Sequence, residues 1–483
     1  MGRVPISSRP EKSVVGKSVI GKSEKSGKSG KSDYSHYSQP SKQGLESTRI
    51  APPQGTTPHQ ASLPFTYFDV LWIILPPVER LFFYRYPHST THFLSSFLPS
   101  LKSSLSLALK TYYPLAGGFR QTPGTDDRLE LYYVEGDAVS FTVAECSGQF
   151  EDLASDHERD VSQLECLVPV LPRSEELQPL LAVQVTVFPG QGIVIGTSVH
   201  HTACDGTSSI QFMHAWAKTC LSGASVHSQV PVFDRSLISD PSNIYSLFYI
   251  KVQSVLKSVR EGTIPAIKNS ELILATFTLR QQHIQRLKQL ILAKAEQAKT
   301  SFHCSTIVVA FAYIWTGFAQ AKRIDNSSRA SLAIPADFRA RIQPPLPKEY
   351  FGNCVGTGIV TANVADLIQD DGVFVAAEAI GKAIDQLSEK LKVVRNWLDE
   401  YASLSGKTVL SVAGSPKFKV YDVDCGLGRP NKVEIISTTK TGAMSVAESR
   451  DQQGGVEIGI AFPKDEMDYF KKYFFDGLKN LSE

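Results

Sequence analysis

The chain has 483 residues, enough for two or more domains of ordinary size. It is 42% hydrophobic and 20% charged, with a formal net charge of +2. That balance suits a globular protein with a sizeable core and excludes a global electrostatic case for nucleic acid or a membrane surface as partner. Seven cysteines, odd in number and without a Cys-x-x-Cys pair, point to reduced thiols in the cytoplasm, not to a disulfide framework or a zinc site. No apolar run reaches the roughly 18 residues of a spanning helix. The N-terminus also lacks the apolar core of a secretory signal.

Residues 1–45 are rich in Ser, Lys and Gly, with a stuttering Gly-Lys-Ser between Gly16 and Ser32. Residues 1–49 carry ten Lys+Arg against four Asp+Glu, so the rest of the chain has a net charge of −4. Such a stretch buries too little apolar surface to offset its ordering entropy, and a disordered extension is expected over 1–45. It holds a formal phosphate-loop pattern, Gly16 to Gly21-Lys22-Ser23. A working phosphate loop needs a buried strand before it and a helix after it, and both flanks here are polar and repetitive.

Folded sequence is expected as an N-terminal domain over 46–225, a crossover linker over 226–250 and a C-terminal domain over 251–483. In the first half, 67–75 is apolar and closed by Pro76-Pro77, and 81–84 reads as a short strand. Apolar residues at spacings of three and four predict a helix over 93–113, stopped by Tyr113-Pro114-Leu115-Ala116-Gly117. Strands are predicted over 129–134 and 139–143, and a hairpin over 181–187 and 193–199 around Pro189-Gly190. A helix follows over 210–220.

The second half predicts strands at 272–277, 330–336, 432–438, 443–447 and 455–462. Helices are predicted at 281–298, 304–322, 373–393 and 464–478. Strands and helices interleave without regular βαβ spacing, so the expected class is α/β with mixed sheets.

The most informative stretch is Val199-His200-His201-Thr202-Ala203-Cys204-Asp205-Gly206. It joins a β-branched strand to a helix, and a histidine at the end of a core strand is held rigidly while facing a cavity, as a general base requires. Strand alternation turns His200 the opposite way, into packing. Cys204 invites a Cys–His reading, but a cysteine three residues past its histidine on a turn is poorly placed as a nucleophile. No Gly-x-Ser-x-Gly elbow supports a serine hydrolase.

With two further motifs the chain resembles the BAHD acyltransferases, the plant acyl-CoA-dependent transferases. His201 to Gly206 matches the family's His-x-x-x-Asp-Gly. Asp424-Cys425-Gly426-Leu427-Gly428-Arg429-Pro430 stands where the family has Asp-Phe-Gly-Trp-Gly-Lys-Pro. Tyr350-Phe351-Gly352-Asn353-Cys354-Val355 resembles a signature of the branch that acylates flavonoid and anthocyanin glycosides. The resemblance runs from about Ile50 to the C-terminus and points to the phenolic-glucoside malonyltransferases.

The resemblance implies two chloramphenicol-acetyltransferase-like domains with an active-site channel between them. It implies His201 as general base, and Asp205, beside Gly206, turned away from the channel onto an arginine, Arg339 before Arg341. It implies a structural role for Asp424, Gly426 and Gly428, whose loop an ion pair would order near the CoA channel. Ser305, Thr306, Ser415 and Lys417 are implied to bind CoA. Acyl-CoA, malonyl-CoA favoured, is the implied co-substrate, with a hydroxyl on the sugar of a phenolic or flavonoid glycoside as acceptor. No bound cofactor, metal, nucleic acid or membrane is implied, and a monomer is expected. Two departures keep alternatives open. Cys425 and Leu427 replace aromatic residues, which leaves a catalytically weak paralogue acting as a binding protein. Thr207 stands where the malonyl branch often has Lys or Arg, which leaves a hydroxycinnamoyl-CoA donor.

Overall fold

The run Gly192–Val199 folds as a strand with all eight residues buried, because neighbours cover both faces of the sheet it joins. A computed structural model describes residues 42–172, 174, 176–224, 230–261, 271–404 and 407–481. In the first half the strands are β1 (Lys42–Ile50), β2 (Gln60–Pro64), β3 (Val78–Arg85), β4 (Gly118–Gln121), β5 (Leu129–Val134), β6 (Val139–Cys146), β7 (Arg159–Asp160), β8 (Gln178–Pro179), β9 (Leu181–Phe188) and β10 (Gly192–Val199). The second half adds β11 (Leu272–Leu279), β12 (Arg329–Asp337), β13 (Val355–Asn363), β14 (Val409–Gly414), β15 (Lys432–Ile435), β16 (Ala443–Glu448) and β17 (Val456–Pro463).

Three sheets result. The first runs β1-β6-β9-β10-β3-β15, the second β13-β12-β14-β16-β17-β11-β7, and the third β2-β5-β4-β8. Parallel pairs, β6 with β9, β12 with β14 and β14 with β16, sit among antiparallel ones, so the first two sheets are mixed. Two strands cross between the halves of the chain. β15 pairs with β3 in the first sheet, and β7 pairs with β11 in the second. The predicted hairpin forms as β9 and β10, Leu181 opposite Val199, and β3 flanks the other side of β10, Val78 opposite Val199. Hydrogen bonded on both edges, β10 is a rigid support for the turn that follows it.

Several predicted boundaries shift. The extension assigned to 1–45 lies outside the described residues up to 41, as does the Gly16–Ser23 pattern, and Lys42–Leu45 open strand β1. The linker assigned to 226–250 already contains the start of a helix, Ile244–Arg260. The helix predicted over 93–113 has a widened turn at Phe93–Phe97 before Leu98–Thr111. Pro99 supplies no amide donor and its ring crowds the preceding turn, which explains the irregularity. The long helix predicted over 373–393 ends at Asp385, and the chain turns through a kink at Val393 into Trp397–Ala402. There Trp397, 1% exposed, packs on Phe338 and Phe68 at ring-centre distances of 5.5 and 6.0 Å. Among the described residues no helix is long and apolar enough to cross a membrane.

Candidate active site

At the end of β10 the chain turns within a few residues. The His200 N–H donates to the Leu180 carbonyl (2.8 Å), and the Ala203 N–H donates to the His200 carbonyl (2.9 Å). Asp205 then caps the helix Gly206–Ser222, accepting the Ser208 N–H at 3.0 Å and so satisfying one of the donors a helix start leaves free. The two histidines diverge as alternation requires. His200 is buried, bonded through Nδ1 to the Thr202 hydroxyl (2.8 Å) and tilted on Phe119, and burial lowers it to about 4.

His201 is partly exposed. Its imidazole stacks on Trp72, with ring centres 3.9 Å apart and planes 14° from parallel. Trp72 stands on the turn Leu71–Ile74, which Pro76-Pro77 closes off. Nδ1 of His201 is buried without a hydrogen-bond partner. Burial holds the imidazole below its ordinary value, against the opposing pull of nearby hydrogen bonds and of Asp205. It is therefore neutral near pH 7 and can accept a proton.

Asp205 does not serve the imidazole. Its Oδ2 accepts from Arg339 Nη1 (2.8 Å) and the Cys354 N–H (3.0 Å), and its Oδ1 accepts from Arg339 Nη2 (3.0 Å). Arg339 follows β12, and its Nη2 also donates to the Ser208 hydroxyl (3.0 Å) and the carbonyls of Gly352 (3.1 Å) and Tyr350 (3.3 Å). Burial alone would lower this guanidinium, but the Asp205 charge beside it, aided by Asp337, holds it above its ordinary value. Arg341 instead donates to the Asp337 carbonyl at 2.6 Å. Gly206 is tightly overlaid, since a Cβ there would lie 2.8 Å from the Phe418 ring. Cys204 is 2% exposed, and burial raises its thiol, so it presents no thiolate.

The stretch Tyr350–Val355 wraps around this turn, and with it come residues that sequence reasoning did not single out. Asn353 Nδ2 donates to the His201 carbonyl (2.9 Å), the Thr202 carbonyl (3.3 Å) and Asp69 Oδ1 (3.0 Å). Asp69, 1% exposed, also accepts the N–H and hydroxyl of Thr66, each at 2.8 Å. Arg235 Nη1 donates to the Phe351 carbonyl (2.6 Å) and the Tyr350 hydroxyl (3.0 Å). The clue available for Asn353 was its place within the Tyr350–Val355 signature. Asp69 and Arg235 come from distant segments and carried no local signal. Trp72 lay inside an apolar run that reads as core.

The second motif lies elsewhere. Asp424 Oδ1 accepts three backbone donors, Gly426 (2.7 Å), Gly428 (2.9 Å) and Leu427 (3.0 Å). Gly426 and Gly428 have φ of 95° and 81°, a region that favours glycine. The implied ion pair is not made by Asp424 in the described structure. The pair in this loop joins Arg429 to Asp422 at 3.6 Å, both more than half exposed. Gly426 lies by Leu221, at the far end of the 17-residue helix that starts beside Asp205, roughly 25 Å along its axis. Cys425 is 1% exposed and belongs to the main core, and Leu427 packs against it, so the loop is filled without the two aromatics.

Of the CoA candidates, the Ser415 hydroxyl accepts the Lys417 N–H (3.2 Å), and Lys417 is exposed. The loop continues into Phe418, whose carbonyl is 3.0 Å from His214 Nε2 on the helix after the histidine turn. Ser305 and Thr306 open the helix Thr306–Ala321, and Thr306 is exposed. The structure thus gathers His201, Asp205, Gly206 and Arg339 in one place. It ties the Ser415–Phe418 loop to that place through Phe418, and leaves Asp424 at the opposite end of a helix. Among the described residues no group of His, Cys, Asp or Glu could hold a metal ion.

Comparison with known proteins matches residues 44–476 to the model of the Transferase family. The chain is 36% identical over 449 residues to a malonyl-coenzyme:anthocyanin 5-O-glucoside-6'''-O-malonyltransferase of Salvia splendens, covering 89% of this chain and 94% of that protein. It is 35% identical over 466 residues to the coumaroyl-CoA:anthocyanidin 3-O-glucoside-6''-O-coumaroyltransferase 1 of Arabidopsis thaliana, covering 91% and 98%. The crystal structure of vinorine synthase superposes with a TM-score of 0.69 at 20% identity, over 90% of this chain and 98% of that one, which shows a shared fold of two chloramphenicol-acetyltransferase-like halves. A histidine on the turn after β10, a clamped aspartate beside it, a match over nearly the whole described length and this fold agree, and the chain belongs to the Transferase family of BAHD acyl-CoA-dependent acyltransferases.

Proposed function

We propose that this enzyme transfers an acyl group, malonyl favoured, from acyl-CoA to a hydroxyl on the sugar of a phenolic or flavonoid glycoside, with His201 as general base. The observation that carries the chemistry is the state of His201: stacked on Trp72, neutral through burial and unshared with any carboxylate, because Asp205 is taken up by Arg339. His201 takes the proton of the acceptor hydroxyl as that oxygen attacks the thioester carbonyl. The tetrahedral oxyanion then collapses, and CoA leaves as a thiolate that takes the proton back. General-base help of this kind contributes about 10²–10⁴-fold, or roughly 3–5 kcal/mol. A direct transfer without an acyl-enzyme is supported by the buried, protonated Cys204.

Asp205, Gly206 and Arg339 shape the turn that presents the base. Asp424 with Gly426 and Gly428 shapes a remote loop. Ser415, Lys417, Ser305 and Thr306 contact CoA. The reading includes acyl-CoA as co-substrate, no resident cofactor, a cytoplasmic location and a monomer. It also keeps an N-terminal domain over 46–225 and a C-terminal domain over 251–483. The first and second sheets divide along that line except for the exchanged strands β7 and β15.

Malonyl as donor is supported by the name of the Salvia splendens relative. A hydroxycinnamoyl donor is the second reading, favoured by uncharged Thr207 and by the coumaroyltransferase relative. Malonyl-, coumaroyl- and acetyl-CoA offered in turn with a flavonoid glucoside, and products weighed by mass spectrometry, decide between them. A malonyl ester of the sugar as main product supports the first reading, a coumaroyl ester replaces it with the second, and no ester from any donor refutes both.

A further inference from the structure

The helix Gly206–Ser222 holds more than the histidine turn at its start. His214 stands about two turns into it, partly exposed, with Nε2 3.0 Å from the Phe418 carbonyl. A carbonyl oxygen only accepts, so Nε2 carries the hydrogen, and the bond is kept whether the ring is neutral or charged. In the first turn of the same helix, Gly206 leaves room for the Phe418 ring, which a Cβ there would meet at 2.8 Å. Phe418 is thus held at two points, by its ring on the first turn and by its carbonyl on His214, whose side chain leans back toward the helix start.

The residue after Phe418 is under backbone strain. Lys419 has φ of 53° and ψ of 48°, the left-handed region that is unfavourable for a residue with a side chain. Such a conformation persists only where surrounding contacts over-determine it, and it recurs at ligand clamps. On its far side the segment leaves the second sheet where β14 ends, at Gly414 opposite Val446 of β16.

Between these ends the segment bonds mainly to itself. The Ser415 hydroxyl accepts the Lys417 N–H (3.2 Å), and the Ser415 carbonyl accepts the Phe418 N–H (3.1 Å). Neither bond sets where the segment stands relative to the histidine turn; the contacts of Phe418 with the helix do. Lys417, next to Phe418, is exposed and makes no ion pair among the described residues. Its ammonium is therefore free for an anionic ligand, at a place that His214 helps to fix.

We propose that His214 is a positioning residue for the donor: by holding the Phe418 carbonyl it keeps the Ser415–Lys417 segment in the arrangement that receives acyl-CoA. The inference rests on the reading that Ser415 and Lys417 contact CoA. His214 acts through Phe418 and takes no part in the proton transfer. A segment already held in its binding arrangement gives up less freedom when the ligand arrives, so the gain falls on donor affinity and not on the chemical step. One helix then serves both halves of the reaction, with Asp205 capping it beside the base and His214 holding the donor segment.

Wild type, His214→Phe, His214→Gln and a Ser415→Ala/Lys417→Ala double variant are compared by the calorimetric Kd of free CoA, which every acyl donor shares, and by kcat and glycoside KM with a donor the wild type accepts. His214→Phe keeps a ring on the helix and removes the N–H, while the Gln amide reaches the place of Nε2. The expected result is a CoA Kd raised about 5–20-fold in His214→Phe, with kcat and glycoside KM within about threefold, and recovery to within about twofold in His214→Gln. An unchanged CoA Kd in His214→Phe overturns the inference. So does a loss shared by kcat and glycoside KM that His214→Gln does not restore, the mark of a merely structural residue. Should His214→Phe fail to fold, His214→Asn decides, since its amide stops at the level of Nδ1, and a wild-type CoA Kd there overturns the inference. A double variant that binds CoA as the wild type does removes the CoA reading of the segment and the role of His214 together. A weakened double variant beside an unaffected His214→Phe removes the role of His214 alone.

Discussion

Separating His201 from Asp205 depends on the ion pair between Asp205 and Arg339, and a double-mutant cycle measures it. The partners are 3% and 5% exposed and are joined by contacts of 2.8 and 3.0 Å. At an effective dielectric of ~20, unit charges ~4 Å apart attract by about 4 kcal/mol. Asp205→Asn keeps the shape of the side chain but leaves the guanidinium with only Asp337, 3.2 Å away and 48% exposed, and neutral acceptors. Arg339→Met leaves a buried carboxylate with two backbone donors. Each single change should cost about 3–5 kcal/mol of stability, because it strands the other charge. The double variant strands neither, so it should cost less than the sum by about 2 kcal/mol or more. Urea denaturation followed by tryptophan fluorescence reads these values. Additivity within about 0.5 kcal/mol would refute the ion pair as the clamp of this turn. An acidic limb of kcat/KM displaced by more than about one pH unit in Asp205→Asn would show Asp205 acting on the imidazole after all.

Three further outcomes follow from the same contacts. His201 must be neutral to accept a proton, and burial lowers its folded value, so kcat/KM should hold as pH falls through the ordinary histidine range and decline only below about 6.5; a limb at or above that value contradicts the buried environment. Asn353→Ala removes the amide that holds the His201 and Thr202 carbonyls, and should lower kcat about 10–100-fold with the acyl-CoA KM little changed, since small misplacements of a reacting group are costly; a pure KM effect would place Asn353 in substrate binding. Asp424→Ala frees three backbone donors in an accessible loop, and should cost about 1–2 kcal/mol in denaturation while the folded enzyme keeps most of its kcat.

The local part of this architecture is legible in the sequence. The hairpin of β9 and β10, the turn and the helix after it come from a β-branched run, Pro189-Gly190 and an amphipathic repeat. That Asp205 turns onto an arginine comes from the family resemblance, and the position of Arg339 directly after a strand only ranks it before Arg341; the structure makes the pair with Arg339. Other strands hide for physical reasons. β1 is polar and mostly exposed, so alternation carries little signal. β13 begins Val355-Gly356-Thr357-Gly358, and glycines weaken a strand pattern. The break in the helix predicted over 373–393 is a tertiary effect, in which burial of Trp397 against Phe338 outweighs helix propensity. The exchange of β7 and β15 between sheets joins residues more than a hundred positions apart, which no local window can see. Trp72, Asp69, Asn353 and Arg235 meet at the histidine turn for the same reason.

The most direct measurement is the turnover of His201→Ala with saturating acyl-CoA and glycoside, beside its unfolding curve. A general base on a stacked, neutral imidazole predicts a kcat lower by at least about 10²-fold, with stability and acyl-CoA affinity nearly unchanged. A loss of no more than a few-fold in a folded protein would mean that another group takes the proton.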